Sequence, residues 1–352
     1  MEGLTGRERG LLGGVGGLTA ITAALEYAGA SDVVVFLVAA GALAGLAWVV
    51  SFATEAVGAR FGPALTGVLQ TTLGNLPELF VVLFALSAGE LVVAQYSVLG
   101  SIFANALLVL GLVIVAGARA GGGGGIMRFQ RRLPNDTATL LMLAVFIIAL
   151  LALSANAGDR ASRHQVAISA IGAVILLGVY AVWLPSYLRA GKEERTQGET
   201  RLPLRFAIGL LATSGGAAAL VSDWFVGALD SAVSSLGISK EFTGLVIVAI
   251  AGNAVENVVG ITLAAKGQHD LAISVVKNSV AQIAVFLFPA LVLVSLLFDT
   301  RLTFVVPAVY IGALFLTAIA IWQITGDGEA AEFEGFALIG LYAILAVLTF
   351  YE

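Results

Sequence analysis

Apolar runs long enough to span a lipid bilayer recur along this chain from residue 10 to its last residues. A run of about 20 apolar residues is the length a helix needs to cross the hydrocarbon core. Eleven such segments are predicted, at 10–29, 33–59, 62–87, 91–117, 137–155, 164–188, 204–236, 240–265, 270–297, 302–323 and 334–351. The segment 204–236 is too long for one perpendicular span and contains Ser222 and Asp223, so a tilt or a break is expected there. Only 12% of the 352 residues are charged, against about a quarter in soluble domains, and mean hydropathy is +1.00. The expected fold class is therefore an all-α integral membrane protein without a sizeable soluble domain. A net charge of −5 argues against nucleic-acid binding. The chain has no cysteine, which excludes disulfides, thiolate metal sites and Cys nucleophiles. With two histidines, His164 and His269, a His-based metal site is not expected either. The first apolar run lacks an A-x-A cleavage site and is expected to stay as a span rather than leave as a signal peptide.

Eleven crossings put the two termini on opposite sides. Thirteen basic residues fall on the N-terminal side, from Arg7 and Arg9 to Arg205 and Lys266, and four on the other: Arg160, Arg163, Lys240 and Arg301. By the positive-inside rule the N-terminus is cytoplasmic and the C-terminus outside. The absence of an organelle signal and the excess of arginine over lysine point to a prokaryotic plasma membrane. Turns are expected at Arg60–Pro63, Ser87–Glu90 and Lys266–His269. Gly121 to Gly125 reads as a flexible cytoplasmic loop leading to Arg128, Arg131 and Arg132 beside anionic headgroups. Gly191 to Thr200 reads as a solvated linker between two halves.

Those halves share a repeat at a constant offset of 178 residues: Gly74, Asn75 and Glu78 match Gly252, Asn253 and Glu256, and the ungapped register continues through Ser101 and Ser279. The predicted organisation is an N-terminal helix (1–30), a first five-helix repeat (31–189), a cytoplasmic linker (190–203) and a second repeat (204–352). Five crossings per copy make the second enter the membrane from the opposite side. Inverted repeats of this kind occur in secondary transporters, with the substrate near the midplane where the halves meet.

Glu78 and Glu256 both sit in the middle of apolar spans. An ionised carboxylate is costly there, so each is a candidate functional residue by default. Asn75 and Glu78 are spaced i, i+3, Thr71 extends the stripe, and Asn253 with Glu256 repeats it. Carboxylate, amide and backbone carbonyl oxygens suit a hard cation. Gly74 and Gly252 permit close backbone approach and local unwinding, and Pro77 cannot donate to the carbonyl of Leu73. Val255 stands where Pro77 does in the first copy, so opening of the second would depend on Gly252. Two carboxylates are neutralised by one divalent cation or by two protons, and an empty, doubly ionised site is costly in a low dielectric. A carrier built this way crosses only when loaded, which couples the two ions. In the following spans Ser101 with Asn105, and Asn278 with Gln282, share helix faces. Small polar residues at such positions either join helices or complete an ion cavity.

GNLPEL and GNAVEN resemble the two α-repeat signatures of the cation/proton exchanger family, within the Ca²⁺/cation antiporter superfamily. SVLGSIFANALLVLGL and KNSVAQIAVFLFP resemble the spans that follow those signatures. The resemblance covers residues 60–117 and 240–295 and implies exchange of Ca²⁺ for H⁺, with Glu78 and Glu256 as ligands. It further implies help from Asn75, Asn253, Ser101, Asn105, Ser279, Gln282 and the backbone around Gly74 and Gly252. Transported cations and the bilayer are then the partners, with no cofactor and no enzymatic activity expected, and the oligomeric state left open. Three departures stand out. Asn257 replaces a frequent histidine, Asn278 replaces a glycine, and Lys277 replaces an apolar residue. Lys277 either snorkels or pairs with a carboxylate, or it acts on the cation site and shifts selectivity toward Na⁺ or K⁺. A Na⁺(K⁺)/H⁺ or Na⁺/Ca²⁺ exchanger of the same fold is the nearest alternative, and a cation channel a more distant one.

Overall fold

The structure, a computed structural model, describes residues 4–58, 73, 75–120, 125–130, 132–190 and 202–352; the side chains of residues 132–135, 137, 187–190, 255 and 256 are not among them. The predicted turn at Arg60–Pro63, most of the glycine run and the linker Gly191–Thr200 lie outside the described residues.

The chain folds almost entirely into helices. In order they are α1 (Gly6–Tyr27), α2 (Asp32–Gly58), α3 (Leu76–Ser87), α4 (Leu91–Ala120), α5 (Arg132–Ala157), α6 (Gln165–Ala190), α7 (Leu204–Gly227), α8 (Leu229–Leu236), α9 (Lys240–Gly252), α10 (Ala254–Ala265), α11 (His269–Ser295), α12 (Ala308–Thr325) and α13 (Glu332–Phe350). Two short strands, β1 (Ile126–Arg128) and β2 (Glu329–Ala331), pair antiparallel. Among the described residues eight helices are long and apolar enough to cross a membrane, and a ninth span arises if α8 and α9, bent by 115°, count as one. The chain is thus a multi-pass integral membrane protein. The break expected in 204–236 falls between α7 and α8.

The connections between helices form two groups. In one, the α4–α5 and α12–α13 connections meet through β1 and β2, with ion pairs Arg119–Glu332 (2.7 Å) and Arg128–Glu329 (3.1 Å). The start of α11 joins them, because the backbone N–H of Gln130 donates to Asp270 Oδ1 (2.7 Å). In the other, Lys240 bridges Glu90 (2.7 Å) and Asp230 (2.6 Å), and Tyr310 donates to Glu352 (2.7 Å).

Several local backbone features recur at the 178-residue offset. α3 and α10 occupy equivalent positions, and each is preceded by an asparagine outside helical geometry: Asn75 at φ −97°, ψ 20° and Asn253 at φ −100°, ψ 18°. Both following turns pass through a left-handed glycine, Gly89 at φ 82° and Gly267 at φ 75°. α4 and α11 then each contain a π-helical segment, Ala104–Val109 and Ile283–Leu287.

α4 and α9 cross closely. A Cβ at Gly100 would lie 2.4 Å from the carbonyl oxygen of Leu245, and one at Gly244 would lie 2.8 Å from Tyr96 Cβ. Glycine at both positions lets the two backbones touch. α9 has its own π-helical segment here, Thr243–Val248, and Tyr342 of α13 donates its hydroxyl to the Leu245 carbonyl (3.3 Å).

Candidate cation site

Glu78 is the third residue of α3 and is 1% exposed. Asn75 forms the N-cap, and its carbonyl accepts from the Leu79 N–H (2.9 Å). Pro77 falls in the first turn, where its missing N–H costs nothing. The carboxylate therefore sits in the first turn, at the positive end of the helix dipole. Glu256 holds the equivalent third position of α10, behind the break at Asn253. Its side chain, like Thr71 and Gly74 altogether, lies outside the described residues.

Asn75 thus caps the start of α3, Asn253 stands between α9 and α10, and in each case the glutamate follows three residues on, in the first turn of the helix. The break at Asn253 matches the one at Asn75 within a few degrees although Val255 stands where Pro77 does, so proline is not what produces it.

Helices distant in sequence meet at Glu78. A small cavity is lined by Pro77, Glu78 and Val81 of α3, Val248, Ala251 and Gly252 of α9, and side chains of α2 and α7. Its volume of about 10 Å³ is close to the space one water needs. A Cβ on Gly252 would sit 3.5 Å from Glu78 Cβ, in ordinary contact. The value of Gly252 here is therefore the break it precedes, not avoidance of a clash.

A second polar cluster lies around Asn253, which is fully buried together with Ser101 and Asn105. Asn105 Nδ2 donates to Asn253 Oδ1 (2.6 Å), and Asn253 Nδ2 donates to Ser101 Oγ (2.9 Å) and to the Ala249 carbonyl (2.8 Å). These bonds join α4 of the first half to the break in the second. Ser101 and Asn105 were open to two readings, and their partner is now specific. The offset that matches Ser101 to Ser279 puts Ile283 opposite Asn105, so the two halves are not chemically equal here.

On α11, Lys277, Ser279 and Gln282 are buried and Asn278 is half-buried. Ser279 Oγ and Asn278 Oδ1 are enclosed without a hydrogen-bond partner among the described residues, as is the oxygen of half-buried Asn257 on α10. Lys277 neither snorkels nor enters an ion pair among the described residues. Its Nζ donates to Thr325 Oγ1 (2.5 Å), and that hydroxyl donates to the Ile321 carbonyl (2.6 Å). Sequence reasoning missed Thr325. It also passed over Thr54 on α2, a fully buried hydroxyl with no partner among the described residues, and named Ser222 on α7, buried likewise, only for the break in 204–236. One hydroxyl in an apolar run carries no signal to single it out.

Comparison with known proteins places these features in context. The chain matches the sodium/calcium exchanger protein family over residues 31–185 and again over 206–351. It is 36% identical to the vacuolar calcium ion transporter of Schizosaccharomyces pombe over 90% of this chain and 79% of that protein. It is 28% identical to the Ca(2+)/H(+) antiporter of Synechocystis over 94% of each. Its fold resembles the crystal structure of the Ca2+/H+ antiporter protein YfkE with a TM-score of 0.81 at 26% identity, covering 98% of this chain and 100% of that one.

Proposed function

The chain belongs to the sodium/calcium exchanger protein family, and from that membership we propose that it is a secondary antiporter exchanging Ca²⁺ for H⁺. The single observation that carries the site is Glu78, a carboxylate enclosed beside a cavity of one-water size against the broken helix of the other half. Glu78 and Glu256 bind the cation or the protons, and Asn75, Asn253, Ser101, Asn105, Ser279 and Gln282 contribute oxygens or hold the breaks in place. Protonation of the carboxylates, or a divalent cation between them, removes the charge that forbids closure around an empty site. That is what makes the movement of one ion conditional on the other.

The same reading holds that the chain crosses the membrane eleven times, as one helix followed by two inverted five-helix repeats, 31–189 and 204–352. The paired backbone breaks, the paired π-helical segments and the two family matches support it. Loading then alternates between the two faces. On the same reading the N-terminus is cytoplasmic, supported by the distribution of basic residues, and the membrane is a prokaryotic plasma membrane, supported by the excess of arginine over lysine. An exchanger of Na⁺ or K⁺ for H⁺, or of Na⁺ for Ca²⁺, is the second reading, and Lys277 is what favours it, since it puts a basic side chain beside the cation donors of α11.

Proteoliposomes with an imposed pH gradient test the proposal. Ca²⁺ uptake should require outward proton movement, with Na⁺ and K⁺ failing to replace Ca²⁺. Glu78→Gln and Glu256→Gln should abolish both fluxes in protein that still elutes as a folded species. Exchange undiminished in either variant, or ohmic current without proton movement, would refute it.

A further inference from the structure

Lys277 is 1% exposed in α11, yet its polar partner is a threonine hydroxyl rather than a carboxylate. Thr325 is fully buried and is the last residue of α12. Its own proton goes to the Ile321 carbonyl, so the oxygen is left to accept from Lys277. The end of α12 suits a cationic group, because the last helical carbonyls lack partners and carry the negative end of the dipole. The amine thus bonds the last side chain of α12, and ties α11 to α12.

The neighbouring donors explain why this tie matters. Asn278 Oδ1 and Ser279 Oγ are enclosed without hydrogen bonds among the described residues. Their direction is set by the position and rotation of α11, not by bonds of their own. Ser279 lies roughly 200° around the helix from Lys277, two residues on. A helix fixed on its Lys277 side therefore has its Ser279 side fixed too. The first half has no such tie, because the residue 178 positions earlier is the fully buried Leu99.

We propose that Lys277 is a positioning residue for cation binding: bonded to Thr325, it holds α11 in the pose that presents Asn278 and Ser279 to the cation. The proposal rests on the Ca²⁺/H⁺ exchange inferred above. It assigns Lys277 no contact with the cation and no part in carrying protons.

The test compares wild type with Thr325→Val, Thr325→Ser, Lys277→Met and the Lys277→Met/Thr325→Val pair in proteoliposomes. Initial Ca²⁺-driven proton flux gives KM and maximal rate, and thermal melting in detergent gives stability. Thr325→Val and Lys277→Met should each raise the KM for Ca²⁺ about fivefold with maximal rate little changed, the loss expected from one hydrogen bond. The double variant should be no worse than either single one, because both remove the same contact. Thr325→Ser, which keeps the hydroxyl, should restore the wild-type KM. An unchanged KM in both single variants overturns the proposal, as does a loss of maximal rate alone, or a serine variant that behaves like valine. Wild-type protein that moves no protons against Ca²⁺ would instead refute the exchange on which the proposal rests.

Discussion

Asn253 has both ends of its amide committed, accepting from Asn105 and donating to Ser101 and Ala249. Asn105→Leu removes the donor and leaves Asn253 Oδ1 enclosed without it. The variant should lose about 1–3 kcal/mol of stability, the cost of a buried polar atom left unpaired, seen as a lower melting temperature in detergent. Ser101→Ala should cost less, since Asn253 Nδ2 keeps its bond to Ala249. The two glutamates were legible in the sequence because a carboxylate in an apolar run is conspicuous by its energetic cost. The partners were not. Asn105 meets Asn253 across 148 residues and Lys277 meets Thr325 across 48, and a contact between separate helices leaves no periodicity in either.

At the scale of elements, apolar spans were readable because hydropathy integrates over many residues, and eight of the helices among the described residues are long and apolar enough to cross a membrane. A break in 204–236 was expected from its length, but the non-helical geometry at Asn75 and Asn253 was not readable, since one asparagine in a span differs little in mean hydropathy from one in an intact helix. The three π-helical segments, Ala104–Val109, Thr243–Val248 and Ile283–Leu287, left no mark either. Each depends on the registry between a helix and its neighbours. The sheet of β1 and β2 joins segments about 200 residues apart, beside a glycine run that reads only as loop. The crossing of α4 and α9 gives a sharp prediction. Gly100→Ala puts a methyl 2.4 Å from the Leu245 carbonyl, so backbone must shift at a cost of about 1–3 kcal/mol or more. Gly14→Ala in α1 meets nothing within 4 Å and should be neutral or mildly stabilising, as alanine favours helix over glycine. Yield of monodisperse protein and melting temperature separate the two.

The whole molecule is fastened differently on its two faces. One carries the small sheet with exposed arginine–glutamate pairs, and the other carries Lys240 between Glu90 and Asp230. Partial burial alone would lower the Lys240 ammonium, but the carboxylates of Asp230 and Glu90 outweigh it and hold the lysine above its ordinary value. A raised lysine contributes stability that is whole below its unfolded value and disappears as pH rises through the folded one. Lys240→Met should therefore melt below wild type at neutral pH, by the ~1 kcal/mol or less typical of exposed pairs, and the gap should close only above about pH 10. On the proposed inverted repeat, the near-identical breaks at Asn75 and Asn253 have a thermodynamic consequence. Two identical halves would make the inward-open and outward-open forms equivalent by a two-fold rotation in the membrane plane and equal in free energy, with an equilibrium constant of one. This chain stays near that balance in its backbone and departs from it in its side chains, with Lys277 against Leu99, Asn105 against Ile283 and Pro77 against Val255. One hydrogen bond of ~1 kcal/mol held in only one form tilts such a balance about fivefold, so a single unmatched residue is enough to shift the resting orientation of the carrier.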